Sequence, residues 1–450
     1  MKMIEHIKTV ILWLLIISSV FLTWMIWTYQ PEYKVLESSE TSFIESERIG
    51  EERTISSFLI PSQIVIHEEE DQYWLQPLEE TYQEIMENVR NIEVDQLIPT
   101  YTKPPSMDNQ YKGIELIFSQ KLHKSWLQRI VNMNEIDIPL ETIDRILIYV
   151  NEKSTDPEVI IRFISFEEEM MYQGNTQISE NQLQSYHTGF ENELYVPVRA
   201  LDFNMNLESS YRKINYVPSE GFSMKGYTYF SVNSINPDSF KQALFGDPEF
   251  VKHYFQGNDE VYTDGNRIMY VVENSNVLRY AHPRSGSTLT IQEGNVVEDS
   301  IDFINGHSGW TDKYRVDYWN HSNLIDQVIF RMTMNGLPVL GINNNRVEYY
   351  TMELRRDVNQ ITEYTRPLFT MEEEDYVPLE LEFNIPSYDR IMEIIEESET
   401  IEIDQIEDIK IGYFMEKRQS FTTFKPSWFV KERDRWKLVS REEGGLNGLE

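Results

Sequence analysis

The sequence predicts an α+β protein: a single N-terminal transmembrane helix, then a three-domain ectodomain of antiparallel sheets with packed helices. Three observations carry this. The run from Thr9 to Gln30 holds no charge, and within it VILWLLIISSVFLTWMIW, Val10 to Trp27, has neither proline nor glycine. No second apolar run of about 18 residues follows, so one span is expected. After Pro31 the chain alternates short period-two apolar stretches with a few helical periodicities, separated by turn-forming residues.

At about 1.5 Å per residue, a helix over residues 10–30 is long enough to cross a hydrocarbon core of about 30 Å. In lipid the backbone must satisfy its own hydrogen bonds, which requires a lone span to be helical. Trp24, Trp27 and Tyr29 collect at its far end, where aromatic rings favour the headgroup layer. Lys2 and Lys8 precede the run against Glu5 alone, whereas Glu32, Lys34, Glu37, Glu40 and Glu45 follow it. Positive-inside logic makes residues 1–9 a cytoplasmic stub and places the ectodomain outside the cell membrane. A cleaved signal peptide shares the basic start, but bulky Thr-Trp-Met-Ile-Trp-Thr-Tyr stands where a small-x-small cleavage site would be. An uncleaved anchor is therefore expected, and with no cysteine it cannot be a lipoprotein anchor. Ser19 and Thr23, four apart with Ser18 beside them, are candidates for packing against another membrane helix. The bland alternative is that each hydroxyl bonds the carbonyl four residues earlier in its own helix.

Composition narrows the function. Forty basic against 75 acidic residues give a net charge of −35, a field that repels nucleic acid and anionic polymers. The acids are scattered, which reads as a solvated surface rather than a cation store. The absence of cysteine excludes a disulfide framework and suits a Gram-positive-type surface.

Residues 31–57 are polar, rich in Ser, Glu and Thr, and read as a juxtamembrane linker ordering toward its end. A first α+β ectodomain spans 58–165. Within it FLIPSQIVIH predicts a strand, and Leu75, Leu78, Tyr82, Ile85, Met86 and Val89 predict a helix over about 76–91 with Pro77 in its first turn. Ile114, Leu116 and Phe118 predict a strand, Leu122 to Val131 a helix, and RILIYV with VIIRFI an antiparallel pair. The second region, 166–305, has strands at ELYVPVR, YTYFSV, NRIMYVV and VLRYAHP and a helix over 237–255 capped by Asn236 with Pro237 at its first position. Asp264-Gly265 marks a tight turn. The third, 306–441, repeats the recipe, with a helix carrying Ile391, Ile394 and Ile395 and a closing hairpin, SWFVKERDRWKLVS. Residues 442–450 form a polar tail.

No catalytic constellation emerges. Ser210 and Lys213 satisfy S-x-x-K, and Ser231-Val232-Asn233 gives S-x-N, but no K-T-G or K-S-G accompanies them. Coincidence explains two such short matches. Gly306-His307-Ser308-Gly309 has the wrong spacing for a nucleophile elbow and reads as a turn. Glu298, Asp299 and Asp302 lack the order of a calcium loop, and no histidine pair has metal-ligand spacing. Neither a phosphate-binding glycine loop nor a dinucleotide fingerprint occurs. No metal or cofactor is expected.

LTWMIWTYQP, Leu22 to Pro31, resembles the anchor end of YycH proteins. YWLQP (Tyr73 to Pro77), YTDGNRIMYV (Tyr262 to Val271), LRYAHP (Leu278 to Pro283), INGHSGWTDKYR (Ile304 to Arg315) and EYTRPLF (Glu363 to Phe369) extend the likeness over the full chain. The resemblance implies a non-enzymatic adaptor that acts with the single-pass protein YycI. It implies contact with the WalK (YycG) sensor histidine kinase in the membrane and adjustment of its autokinase activity, hence of cell-wall metabolism. The effect on the kinase can be restraint or stimulation. The rival readings are an anchored wall hydrolase using Ser210 and Lys213 and a ligand-binding ectodomain.

Overall fold

A computed structural model describes residues 2–28, 49–100, 111–133, 136–151, 158–186, 194–202, 214–230, 233–272, 276–283, 295–321, 326–341, 349–357, 360–371, 378–418, 421–433 and 435–439. The chain divides into two compact units, residues 1–44 and 45–450. The first contains α1 (Lys2–Thr28), a 27-residue helix over the apolar run. Its side chains are described for His6 and for residues 12–24, and among the described residues no helix is long and apolar enough to cross a membrane.

In the second unit, one sheet holds β1 (Gln63–Glu69), β2 (Asp71–Leu75), β3 (Val94–Pro99), β4 (Tyr111–His123), β5 (Thr142–Asn151), β6 (Glu158–Ser165), β7 (Met170–Thr176), β8 (Tyr195–Asp202) and β9 (Ile214–Pro218). Their order is β3-β7-β6-β5-β4-β1-β2-β8-β9, with every pair antiparallel. The expected pair of RILIYV and VIIRFI is β5 against β6, in register from Arg145↔Ile164 to Val150↔Val159. Helix α2 (Glu79–Arg90) buries Tyr82, Ile85, Met86 and Val89 of the expected face, while Leu75 ends β2 and Leu78 is an exposed cap. Tyr82 ties that face to the sheet, donating to Leu75 O (2.9 Å) and accepting from Ile64 N (3.0 Å). Helix α3 (Glu180–Ser185) opens with a capping box between Ser179 and Gln182.

A second, 14-stranded sheet draws on residues 222–438 and includes a parallel pair, Leu337–Leu340 with Ile406–Lys417. It carries α4 (Pro237–Leu244), α5 (Val296–Gly306) and α6 (Tyr388–Glu396). Asn236 caps α4 as expected, accepting from Asp238 N at 3.0 Å. The hairpin at Asp264-Gly265 also forms, with Gly265 at φ +96° and Asp264 Oδ1 accepting from the amides of Asn266 and Arg267.

Several expectations shift. Leu78 is the N-cap of α2, so Pro77 lies before the helix and not in its first turn. The helix expected at 122–131 is the end of β4 followed by a 3-10 turn, Lys124–Arg129, which buries Trp126 and Leu127. The helix expected over 237–255 stops at Leu244: Phe245 is extended, Pro248 disfavours helix at Asp247, and Lys252–Gln256 becomes an edge strand. The sheets part near residue 220, so β7, β8 and β9 complete the first sheet. Strands expected in the second and third regions share the other sheet, as in Val277–Ala281 against Gln360–Pro367. Long-range pairing, which local pattern does not encode, makes that division.

The first sheet curls. β9 stands four strand steps from β4, about 19 Å if flat, yet Tyr216 on β9 donates to Glu115 Oε2 on β4 at 2.7 Å. The buried carboxylate also meets Arg145 from β5 and His67 from β1. Burial alone would raise the Glu115 carboxyl, but Arg145, with hydrogen bonds from His67 and Tyr216, outweighs it and holds the carboxyl at about 2. Because this value is depressed, its stabilisation is present above the unfolded value near 4.5 and is lost as pH falls toward 2. Thermal unfolding of the detergent-solubilised full chain should therefore lose stability between about pH 5 and 2. Glu115→Gln, which leaves Arg145 buried and unpaired, should cost about 3–5 kcal/mol at pH 7 and flatten that acid limb. Parallel pH profiles for the two proteins would remove Glu115 as the responsible group.

Candidate functional site at the entry of the folded unit

The most heavily specified junction is where the chain enters the second unit. Residues 49–58, expected as the end of the linker, are held by α5 and the loop after it. Ile49 N and Gly50 N donate to Ser308 O at 3.2 and 2.9 Å. Glu51 and Trp310 exchange two backbone bonds of 2.9 Å, a single antiparallel bridge. Asn305 brackets Arg53: its Oδ1 accepts from Arg53 N at 3.0 Å and its Nδ2 donates to Arg53 O at 2.8 Å. The same Oδ1 accepts from Trp310 Nε1 at 3.0 Å, so one amide aligns both strands. Beyond it, Phe58 enters an aromatic cluster with Trp310 and Phe330, at ring separations of 4.7 and 5.4 Å.

Such a close crossing needs glycine. A Cβ on Gly50 would sit 2.1 Å from Trp310 O, and one on Gly309, at φ +79°, would sit 2.6 Å from Gly50 O. Ser308 precedes it at φ +86°, so two consecutive left-handed residues turn the chain from α5 toward Trp310. The turn reading of Gly306-His307-Ser308-Gly309 is thus right about shape. It missed that the turn exists to receive residues 49–53.

Arg366 braces the loop from its other side. Its side chain is fully buried, and every partner is neutral: Gly309 O (3.1 Å), Tyr364 OH (3.1 Å), Thr311 Oγ1 (3.0 Å) and Pro367 O (3.3 Å). The guanidinium also lies 4.8 Å from the centre of the Phe240 ring. Asp312 adds a further tie, accepting from Met371 N at 2.8 Å. Burial, followed by the charge of Asp312, pushes the neighbouring Tyr314 hydroxyl well above its ordinary value, so it stays protonated. The segments 278–283, 304–315 and 363–369, read separately in the sequence, meet here: Leu278 pairs with Arg366 and Tyr280 with Tyr364.

The other candidates fall elsewhere. In α1, Ser18, Ser19 and Trp24 are exposed, as is Thr23, whose hydroxyl donates to Ser19 O at 2.8 Å, the back-bonded arrangement. Trp27 belongs to α1, while Tyr29, Ser210 and Lys213 lie outside the described residues. Glu298 accepts from Trp126 Nε1 at 2.9 Å, and Asp299 pairs with the buried Arg356 beside Asp326. Both acids therefore serve the core.

The chain matches the family description of the YycH protein N-terminal domain over residues 5–187 and that of its C-terminal domain over residues 212–443. It is 22% identical to the two-component system WalR/WalK regulatory protein YycH of Bacillus subtilis (strain 168), over 99% of each chain. The crystal structure of YycH from Bacillus subtilis superposes with a TM-score of 0.69 at 17% identity, covering 88% of this chain and all of that one.

Replacing Gly309 by Ala should cost about 2–3 kcal/mol through the left-handed backbone and the clash with Gly50 O. Hydrogen exchange should then rise at the amides of residues 49–53. Gly306→Ala, where an added Cβ meets nothing within 4 Å, serves as the control. Unchanged exchange at 49–53 in a destabilised Gly309 variant would show that the loop does not hold this segment.

Proposed function

The chain belongs to the YycH family, and we propose that it is a membrane-anchored extracytoplasmic adaptor that modulates a WalK/YycG-type sensor histidine kinase. It acts in this reading with a YycI-like single-pass protein and so controls cell-wall metabolism. The observation that carries the proposal is the end-to-end match to a protein named as a WalR/WalK regulator, 99% of each chain. A regulatory family asks for no catalytic step, and none is assigned.

The physical scheme follows from the sequence and the entry junction. The uncharged run from Thr9 to Gln30 anchors the chain, with Trp24, Trp27 and Tyr29 at the outer interface. Ser18, Ser19 and Thr23 give the anchor a small-residue face on which kinase and YycI-like helices can approach closely. With the Thr23 hydroxyl turned to Ser19 O, that face acts through close approach more than through hydroxyl bonds across helices. Outside, the clamp on residues 49–53 fixes where the folded unit bears on the chain leading to the anchor. Regulation then requires two kinase states contacted differently, and a coupling of about 1–3 kcal/mol changes activity roughly 5–150-fold.

Ser19→Leu combined with Thr23→Leu keeps the anchor apolar and removes the small face. In cells carrying a regulon reporter, at matched protein levels, it should change kinase output, each lost contact being worth about 0.6–1 kcal/mol. Ile16→Leu and Val20→Leu should leave output unchanged. Identical output from all variants, or full regulation restored by an unrelated membrane helix, would reduce the anchor to a tether.

A further inference from the structure

The second sheet carries a cleft of about 850 Å³ whose charge runs against the rest of the molecule. Six cations line it, Arg279, Arg331, Arg355, Lys410, Lys431 and Arg435, against four acids, Asp317, Glu353, Glu363 and Asp408. The chain as a whole has 40 basic and 75 acidic residues, so the ratio is reversed here.

The acids are already engaged. Asp317 pairs with Arg331 at 2.8 Å, and Glu353 and Glu363 pair with Arg355 at 3.2 and 3.4 Å. Asp408 accepts from Asn215 Nδ2 at 2.7 Å and from its neighbour's amide, Ile409 N, at 2.8 Å. Arg279 and Arg435, by contrast, are exposed and have no ion-pair partner among the described residues. Lys410 is held over the Trp436 ring at 4.0 Å, beside Arg435. Arg279 and Arg435 sit on strands Val277–Ala281 and Arg435–Leu438, which six strands separate in sheet order, and the cleft takes its lining from both. A cleft that reaches both suits an extended ligand.

Next to it lies a smaller cavity of about 140 Å³, walled by Trp74, Phe118, Val217, Leu337, Ile409 and Trp428. It shares Ser119, Asp317, Arg331, Asp408 and Lys410 with the cleft, so the polar space adjoins an apolar one. An apolar cavity of about 150 Å³ is enough for a benzene-sized group. That size accepts one aromatic or branched side chain and is too small for a long acyl chain.

We propose that the cleft binds an acidic peptide segment in extended form, its carboxylates on Arg279 and Arg435 and one bulky apolar side chain in the adjoining cavity. A phosphate polymer fits less well. It offers nothing for the apolar cavity that adjoins the cleft. An acidic peptide, in contrast, carries carboxylates and an apolar side chain in one chain.

The test uses the full chain in non-ionic detergent and a fluorescein-labelled peptide, EEEFEEE, followed by anisotropy. Saturable binding is expected. Exchanging the peptide's phenylalanine for alanine, or combining Arg279→Glu with Arg435→Glu in the protein, should each weaken it by about tenfold or more. Arg279→Lys with Arg435→Lys, which keeps the charge, should retain most of the binding. An unchanged thermal midpoint checks that these exposed substitutions leave the fold intact, and the peptide exchange needs no protein variant at all. The proposal fails if EEEFEEE does not bind, if alanine for phenylalanine makes no difference, or if the charge-reversed protein binds equally well. It also fails if inorganic polyphosphate binds more tightly than the peptide and displaces it, which would make the cleft a general polyanion site. The reporter experiment above tests the regulatory reading separately, so failure here leaves that reading standing.

Discussion

Arg366 is a fully buried guanidinium whose bonds all go to neutral oxygens. Desolvating such a charge costs several kcal/mol unless its donors are satisfied. Four acceptors must therefore be delivered to it together, and two of them, Gly309 O and Thr311 Oγ1, belong to one loop. Holding that loop fixes Ser308 and Trp310, and those residues hold Ile49 to Glu51. The place where the folded unit grips the incoming chain is thus set by satisfying one cation on a different strand. Lysine could not substitute, because a single ammonium lacks the planar fork that reaches acceptors in several directions.

Charge is handled in three different ways across the molecule. On the surface an excess of acids keeps the net at −35. In the interior, ions are paired: Glu115 with Arg145 in the first sheet, with His67 hydrogen-bonded to the same carboxylate, and Arg356 with Asp326 and Asp299 in the second. Each set joins three elements, so its geometry resists slippage that would strand a buried charge. In the cleft, finally, cations outnumber acids and two remain without ion-pair partners among the described residues. The first arrangement governs solubility and the second the fold. The third is the one left over for recognition.

A regulatory protein needs defined mechanical connections more than reactive groups. The two sheets of the folded unit are pinned together, through Ser119 Oγ donating to Val316 O at 2.8 Å and Trp319 Nε1 donating to Lys121 O at 2.7 Å. Trp126 meets Trp319 across the same seam in a tilted arrangement, at 5.8 Å. The entry clamp lies apart from both sheets, as an isolated bridge between Glu51 and Trp310.

Local features were legible in the sequence because their causes are local. The buried face of α2, the cap of α4, the Asp264-Gly265 hairpin and the pairing of β5 with β6 each follow from residues a few positions apart. The helix over the apolar N-terminal run was equally readable. The end of α4 and the 3-10 turn after β4 were not, since extended strands and buried Trp126 compete there with helical periodicity. Nor could pattern show that Tyr216 reaches Glu115 or that Asn305 brackets Arg53, contacts spanning 101 and 252 residues of sequence. Sequence by itself determined the elements and the turns, through propensity and period. Only tertiary structure decided which strands became neighbours, because the requirement to satisfy every buried amide, carboxylate and guanidinium is met by partners distant in the chain.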